Sequence, residues 1–171
     1  VRAGHDVAGH GYLQDEVFAM LTPEEERGRI RQTLDAIEAR YGVPGGIVVG
    51  IWARESSFGQ ASIPHAAMPT LATHAFIGRR PEFFRTELIA ALQIIEKGDI
   101  SVRRMKSSWA GALGQPQFMP DAYLSLAADW DGDGKRDIWN NRGDVAASIA
   151  NYLRERGWRA GEPVFDEVRL P

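Results

Sequence analysis

Two places in this 171-residue chain hold residue types able to do chemistry. The first is the run DWDGDGKRDIWNN, Asp129 to Asn141, with four aspartates in nine positions. Such charges repel one another unless a cation sits among them. Asp129, Asp131 and Asp133 alternate, Gly134 follows, and Lys135 comes next, offering its backbone carbonyl. These fill the first, third, fifth, sixth and seventh places of an EF-hand-like loop, so bound calcium is expected. Asp137 falls at the ninth place, which often acts through water. The twelfth holds Asn140 instead of the bidentate Glu, and Asp144, four residues on, can swing in from the next helix start. A solvated Asp-Gly turn uses the same residue types, but five matches between two helices favour calcium. A lone loop of this kind is expected to pin the structure rather than to act as a sensor.

The second place is Glu55, in IVVGIWARESSFG. On a helix, Val48, Ile51, Trp52 and Glu55 share one face. Glu55 would then lie on an apolar stripe and in the last turn, where the helix dipole disfavours negative charge. Burial and dipole both raise a carboxyl pKa, and a carboxylic acid kept protonated near neutrality is what a general acid requires. The same placement suits a core-boundary glutamate paired with Arg54 or another base, and the residue alone leaves both readings open. Its company points to a saccharide groove. Trp52, Phe58, Trp109 and Phe118 can stack on sugar rings, while Gln115, Gln117, Ser56, Ser57 and Ser108 can bind their polar rims.

The elements that must position these residues read as helices. Thr22 is a good N-cap, Pro23 suits the first helical position and Glu25 completes a capping box. Ile30, Leu34, Ile37 and Tyr41 form one stripe, and Gly42 with Pro44 ends that helix. The apolar run from Gly45 onwards, bracketed by Gly59, is expected to be a buried helix carrying Glu55. Residues 60–69 read as a loop, 70–80 as a short helix, and 81–98 as a longer one with Phe84, Leu88, Ala91, Leu92 and Ile95 facing inward. Residues 107–120 read as a loop with one helical turn at most, 121–128 as a short helix, and Asp144 as the cap of a last helix bearing Val145, Ile149, Tyr152 and Leu153. The tail GEPVFDEVRLP alternates like a strand, and the first twenty residues, with His5 and His10, read as a loose terminal segment. The expected fold is therefore a single, mainly helical domain with an acidic calcium loop.

Composition is that of an ordinary globular protein: 44% hydrophobic, 25% charged, net charge −3. The balance gives no basic surface for nucleic acid. The absence of cysteine excludes disulfides, thiolate metal sites and Cys nucleophiles. No apolar run approaches a membrane span, so no transmembrane segment is expected. The chain begins at Val1, which reads as a processed or trimmed start.

With these residues in view, the chain resembles lytic murein transglycosylases of the membrane-bound B type and their soluble relatives. The segment YGVPGGIVVGIWARESSFG is similar to that family's catalytic-glutamate segment, and TLATHAF with RRPEFFRTELIAALQII to the helices after it. The most specific stretch is SSWAGALGQPQFMPDAYLSLAADWDGDGKRDIWNN, which DVAASIANYLRERGW continues. The resemblance runs from about Glu25 to the C-terminus and implies an α+β lysozyme-like fold. It implies cleavage of the MurNAc-β-1,4-GlcNAc bond of peptidoglycan without water, leaving a 1,6-anhydro-MurNAc end. It also implies that Glu55 is the single acid/base, protonating the leaving oxygen and then taking the proton of the C6 hydroxyl that attacks C1. The substrate's acetamido group would stabilise the intermediate, so no second carboxylate is needed. Ser108 and Gln117 match cleft residues beside the glutamate. Asp129, Asp131, Asp133, Lys135 through its carbonyl, and Asp144 match the calcium loop.

The implied partner is the peptidoglycan glycan strand, and the implied location is periplasmic or outer-membrane associated. Residues 60–69 depart from the usual family sequence. The chain also stops where family members continue, and its helical region before the catalytic helix is short. Residues 1–171 are thus expected to be a lytic transglycosylase domain trimmed at both ends relative to the family. Two other classes fit the same residues. One is a calcium-stabilised peptidoglycan-binding module without turnover, and the other is a true muramidase that uses water.

Overall fold

The computed structural model describes residues 22–163. Expectations for His5 and His10, and for the strand-like tail from residue 164 on, lie outside the described residues. Helix α1 spans Pro23–Tyr41. Its start carries the full capping box: the Glu25 N–H donates to Thr22 Oγ1 at 3.3 Å, and the Thr22 N–H donates to Glu25 Oε2 at 2.8 Å. Gly42, at φ +71, lets the chain reverse after Tyr41. Thr33, Ile37 and Tyr41 form the buried face, whereas Ile30 is exposed and Leu34 only half-buried. The expected stripe thus loses its first residue, and the buried face of α1 begins at Thr33.

Helix α2 (Gly45–Ser56) lacks a side-chain cap of its own. Its first N–H is satisfied by Glu38 of α1 at 3.1 Å. A Cβ at Gly45 would stand 2.9 Å from Leu34 Cβ, so the close approach of α1 and α2 requires glycine there. A two-residue strand β1 (His65–Ala66) leads into α3 (Ala67–Ile77). This helix begins inside the segment expected to be loop, because β1 pairs antiparallel with β2 (Lys106–Ser107) and fixes its start. Helix α4 (Pro81–Glu96) buries Glu87, Ala90, Ala91 and Ile94. Leu92, expected inward, is exposed, because the buried face lies one step round the helix. Residues 108–119 hold no helical turn; bridges Ser107↔Leu113 and Leu113↔Phe118 fold them back on β2. Helix α5 (Pro120–Leu126) follows, then the acidic loop, then α6 (Arg142–Glu155).

Gly143 to Ala150 of α6 are all buried, making it the central helix. Helices α1, α2 and α5 pack on it, while α3 packs on α4 and α4 on α5. One apolar core joins the two groups, with Ile37, Val48, Leu71, Ile94, Met105 and Tyr123 among its members. Trp158 closes the end of the described chain by donating Nε1–H to the Gly42 carbonyl at 2.9 Å. A cleft is left along the seam where α2 and α6 face α4 and α5.

Candidate active site

Helix α2 brings Glu55 to this seam on its last turn. The helix stops because Ser57, Phe58 and Gly59 take left-handed φ values of 49°, 58° and 80° in succession. Ser56 Oγ accepts the Gly59 N–H at 3.1 Å and stabilises the turn. A Cβ on Gly59 would fall 2.5 Å from Gln115 Oε1, so glycine alone admits the 113–118 turn at this distance. Gln115 in turn accepts Trp52 Nε1–H at 2.8 Å and donates Nε2–H to the Trp139 carbonyl at 2.7 Å. Trp52 and Gln115, expected to face sugar, thus hold α2 to that turn and to the end of the acidic loop, and neither is among the described residues lining the cleft.

The cleft holds about 440 Å³. Ile51 and Glu55 form its α2 wall, Phe83 and Glu87 its α4 wall, and Gln117 with Phe118 one end. Tyr152 and Arg156 line the α6 side. Gln117 sits at φ 55° and donates Nε2–H to the Gly114 carbonyl at 2.9 Å, which shapes the turn that presents it. Phe118 is 7% exposed and packs 5.2 Å from the Tyr152 ring, so only a small part of it meets the cleft. Ser108 does not line this cavity. Its Oγ accepts the N–H groups of Ala110 and Ala112 at 3.3 and 3.1 Å and shapes the 108–112 turn. Trp109 is 71% exposed beside His74 and Phe58 lies edge-on to Trp52, both away from this lining.

Glu55 itself differs from expectation. The stripe runs from buried Val48 through half-buried Ile51 and Trp52 to an exposed Glu55. The helix climbs out of the core, so its apolar face becomes a cleft wall by its last turn. Among the described residues Glu55 has no ion-pair partner, Arg54 included.

Sequence reasoning missed Glu87. It is 4% exposed and lines the same cleft. Burial pushes its carboxyl above the usual range, the Asp121 N–H that it accepts at 3.0 Å pulls it back, and the nearby Asp121 charge raises it again. The signal was present: Glu87 lies three and four residues from Phe84 and Phe83, and likewise from Ala90 and Ala91, interrupting an apolar face.

In the acidic loop, carboxylate oxygens of Asp129, Asp131 and Asp144 come within 4.8 Å of one another. Asp129 holds the loop by accepting the N–H groups of Gly132 and Gly134 at 2.7 and 2.9 Å, both glycines at positive φ. Asp133 stands outside the trio, capping the Lys135 N–H at 2.8 Å, and Lys135 is exposed. Asp137 accepts the Trp139 and Asn140 N–H groups and binds the Asn140 amide, so neither Asp137 nor Asn140 joins the trio.

Asp144 does not cap α6; Asn141 does, accepting the Gly143 and Asp144 N–H groups. Asp144 is instead fully buried and accepts Trp130 N–H at 2.8 Å and Asp137 N–H at 2.7 Å. Burial pushes its carboxyl up to about 7; the two N–H donors oppose this, and the charges of Asp131 and Asp129 add to it. Three close carboxylates, one of them buried without a cation among the described residues, fit a hard divalent ion that takes oxygen ligands.

A family model described as a transglycosylase SLT domain matches residues 24–171. The chain is 38% identical over 125 residues to membrane-bound lytic murein transglycosylase B of Escherichia coli (strain K12), covering 72% of this chain and 34% of that protein. It is similar to SltB3 from Pseudomonas aeruginosa, solved in complex with NAG-anhNAM-pentapeptide, at 47% identity and a TM-score of 0.78, covering 86% of this chain and 40% of that one. It is also similar to Escherichia coli lytic transglycosylase Slt35 in complex with calcium, at 32% identity and a TM-score of 0.75, covering 86% and 49%. The chain thus spans less than half the length of each of these relatives.

Proposed function

Because the chain belongs to the transglycosylase SLT domain family, we propose that it cleaves the MurNAc-β-1,4-GlcNAc bond of peptidoglycan without water, remodelling the cell wall. The observation that carries this reading is one cleft shared by Glu55, Gln117 and Phe118. The complex of a relative with NAG-anhNAM-pentapeptide supports an anhydro product. Glu55 gives its proton to the glycosidic oxygen as the C1–O bond breaks. The resulting carboxylate then removes the proton of the C6 hydroxyl while that oxygen bonds to C1, so Glu55 ends as it began and no water enters. Gln117 contributes polar contact and Phe118 an apolar one, while Ser108 keeps the neighbouring turn in shape.

Asp129, Asp131 and Asp144 would hold a structural calcium ion, with Asp133 and the Lys135 carbonyl as further ligands from the same loop. The calcium complex of a relative supports this. Bound there, the ion neutralises the clustered carboxylates and fixes the loop that carries Trp139 against Gln115. Among the described residues no helix is long and apolar enough to cross a membrane. A periplasmic or outer-membrane-associated location follows from the substrate.

The test is digestion of purified sacculi with product analysis by mass spectrometry. Muropeptides ending in anhydro-MurNAc, lighter by one water than hydrolytic products, are expected. Reducing ends would establish a muramidase, and clearing that never begins would leave a binding module.

A further inference from the structure

Among the described residues, Glu87 is a buried acid of the cleft that the chemistry above does not use. Its Oε2 accepts the Asp121 N–H at 3.0 Å, tying α4 to the start of α5 across 34 residues of chain. Its Oε1 has no hydrogen-bond partner among the described residues and is not sealed from solvent. Glu87 is itself among the residues that line the cleft. Among the described residues no cation pairs with it: Arg156, the basic residue of the lining, lies over the Tyr152 ring at 5.3 Å. The other charged groups there are the carboxylates of Glu55 on α2 and Asp121 on α5.

Resting on the reading of this cleft as a glycan site, we propose that Glu87 is a substrate-positioning residue. Its Oε2 anchors the Asp121 amide, and its Oε1 carries a proton that it donates to an oxygen of the bound amino-sugar chain, a hydroxyl or an acetamido carbonyl. Several features favour the donating form. The carboxyl is buried, no cation neutralises it, and two carboxylates share its cavity. Burial pushes its proton affinity up, as described above. The two acids then divide the work. Exposed Glu55 exchanges protons with the reacting oxygens, while buried Glu87 keeps its proton and fixes the sugar against the α4 wall. A hydrogen bond of this kind, left unpaired on truncation, is worth about tenfold in affinity.

The test uses the full chain. Binding of the tetrasaccharide (GlcNAc)4 is measured by calorimetry in a Glu55→Gln background, and kcat and KM on soluble glycan strands are measured with Glu55 present. Glu87→Ala should weaken (GlcNAc)4 about tenfold and raise KM similarly, with kcat changed about threefold or less. Glu87→Gln keeps an acceptor for the Asp121 N–H and offers an N–H to the sugar. It should recover most of the lost affinity, to within about threefold of the parent. Should Glu87→Ala fail to fold, Glu87→Met, which fills the space without hydrogen bonding, takes its place. A folded Ala or Met variant that binds (GlcNAc)4 like the parent overturns the proposal. So does a Gln variant as weak as the Ala variant, since the contact would then need a carboxylate acceptor. If the parent yields no anhydro product from sacculi, the proposed activity fails by itself, and the (GlcNAc)4 series still decides the role of Glu87.

Discussion

Replacing Asp144 by Asn should reverse its effect on stability depending on whether calcium is present. Asp144 is fully buried, and in the calcium-free protein its carboxyl is raised from 3.8 to about 7, chiefly by burial. At about 1.4 kcal/mol per pKa unit, that rise corresponds to about 4 kcal/mol. The sign follows from proton binding. The folded state holds this proton more tightly than the unfolded chain, so the group's contribution is fully present below about pH 4 and is lost as pH rises through about 7. At pH 8 in EDTA the wild type therefore carries the penalty of a buried carboxylate that two backbone N–H groups offset only in part. Asn removes that charge and still accepts one of the two N–H groups, at a cost of about 1 kcal/mol for the other.

The variant should melt higher than wild type at pH 8 in EDTA, by as much as about 6–12 °C at 2–4 °C per kcal/mol for a chain of this size. Excess calcium reverses the order, because the ion stabilises the wild type by binding only the folded state, about 4 kcal/mol at a thousandfold excess over Kd. Thermal unfolding of both proteins from pH 4 to pH 8, in EDTA and in calcium, reads all of this. The reasoning is refuted if the two proteins have the same pH dependence in EDTA, or if calcium leaves the wild-type melting temperature unmoved.

Glu55→Gln should abolish anhydro-muropeptide release by about 10²–10⁴-fold, the worth of general acid/base catalysis, while unfolding stays within about 1 kcal/mol of wild type because Glu55 is exposed and unpaired among the described residues. Release at near wild-type rate would remove Glu55 from the chemistry. Asp131→Ala should weaken calcium, titrated by calorimetry, about tenfold or more; Asp137→Ala, whose side chain is occupied with Trp139 and Asn140, should weaken it less. Gly59→Ala should destabilise by about 1–3 kcal/mol in urea unfolding, because φ is +80° and the new Cβ meets Gln115 at 2.5 Å. Thr22→Ala should cost about 1 kcal/mol and leave glycan cleavage unchanged, since its capping box is local and remote from the cleft.

The amino-acid sequence by itself determined what depends on neighbours three or four residues apart. Thr22, Pro23 and Glu25 make the start of α1 because a cap, a ring-fixed φ and a reciprocal side chain act within one turn. The alternation of Asp129, Asp131 and Asp133 with Gly132 and Gly134 at positive φ encodes a tight acidic loop in the same local way. Glu55 was legible as a carboxyl on the face of Val48, Ile51 and Trp52, since the period of a helix is enough to place it. What those faces meet was decided elsewhere in the chain. Trp52 gives its indole N–H to Gln115, 63 residues away, and is not among the described residues that line the cleft. Asp144 leaves the cap of α6 to Asn141 because two backbone N–H groups of the acidic loop draw it inward. Glu87 becomes a cleft residue, and Leu92 a surface one, only once α3 and α5 have packed on α4. Burial is a property of two surfaces together, and the second surface comes from segments that no short window of residues contains.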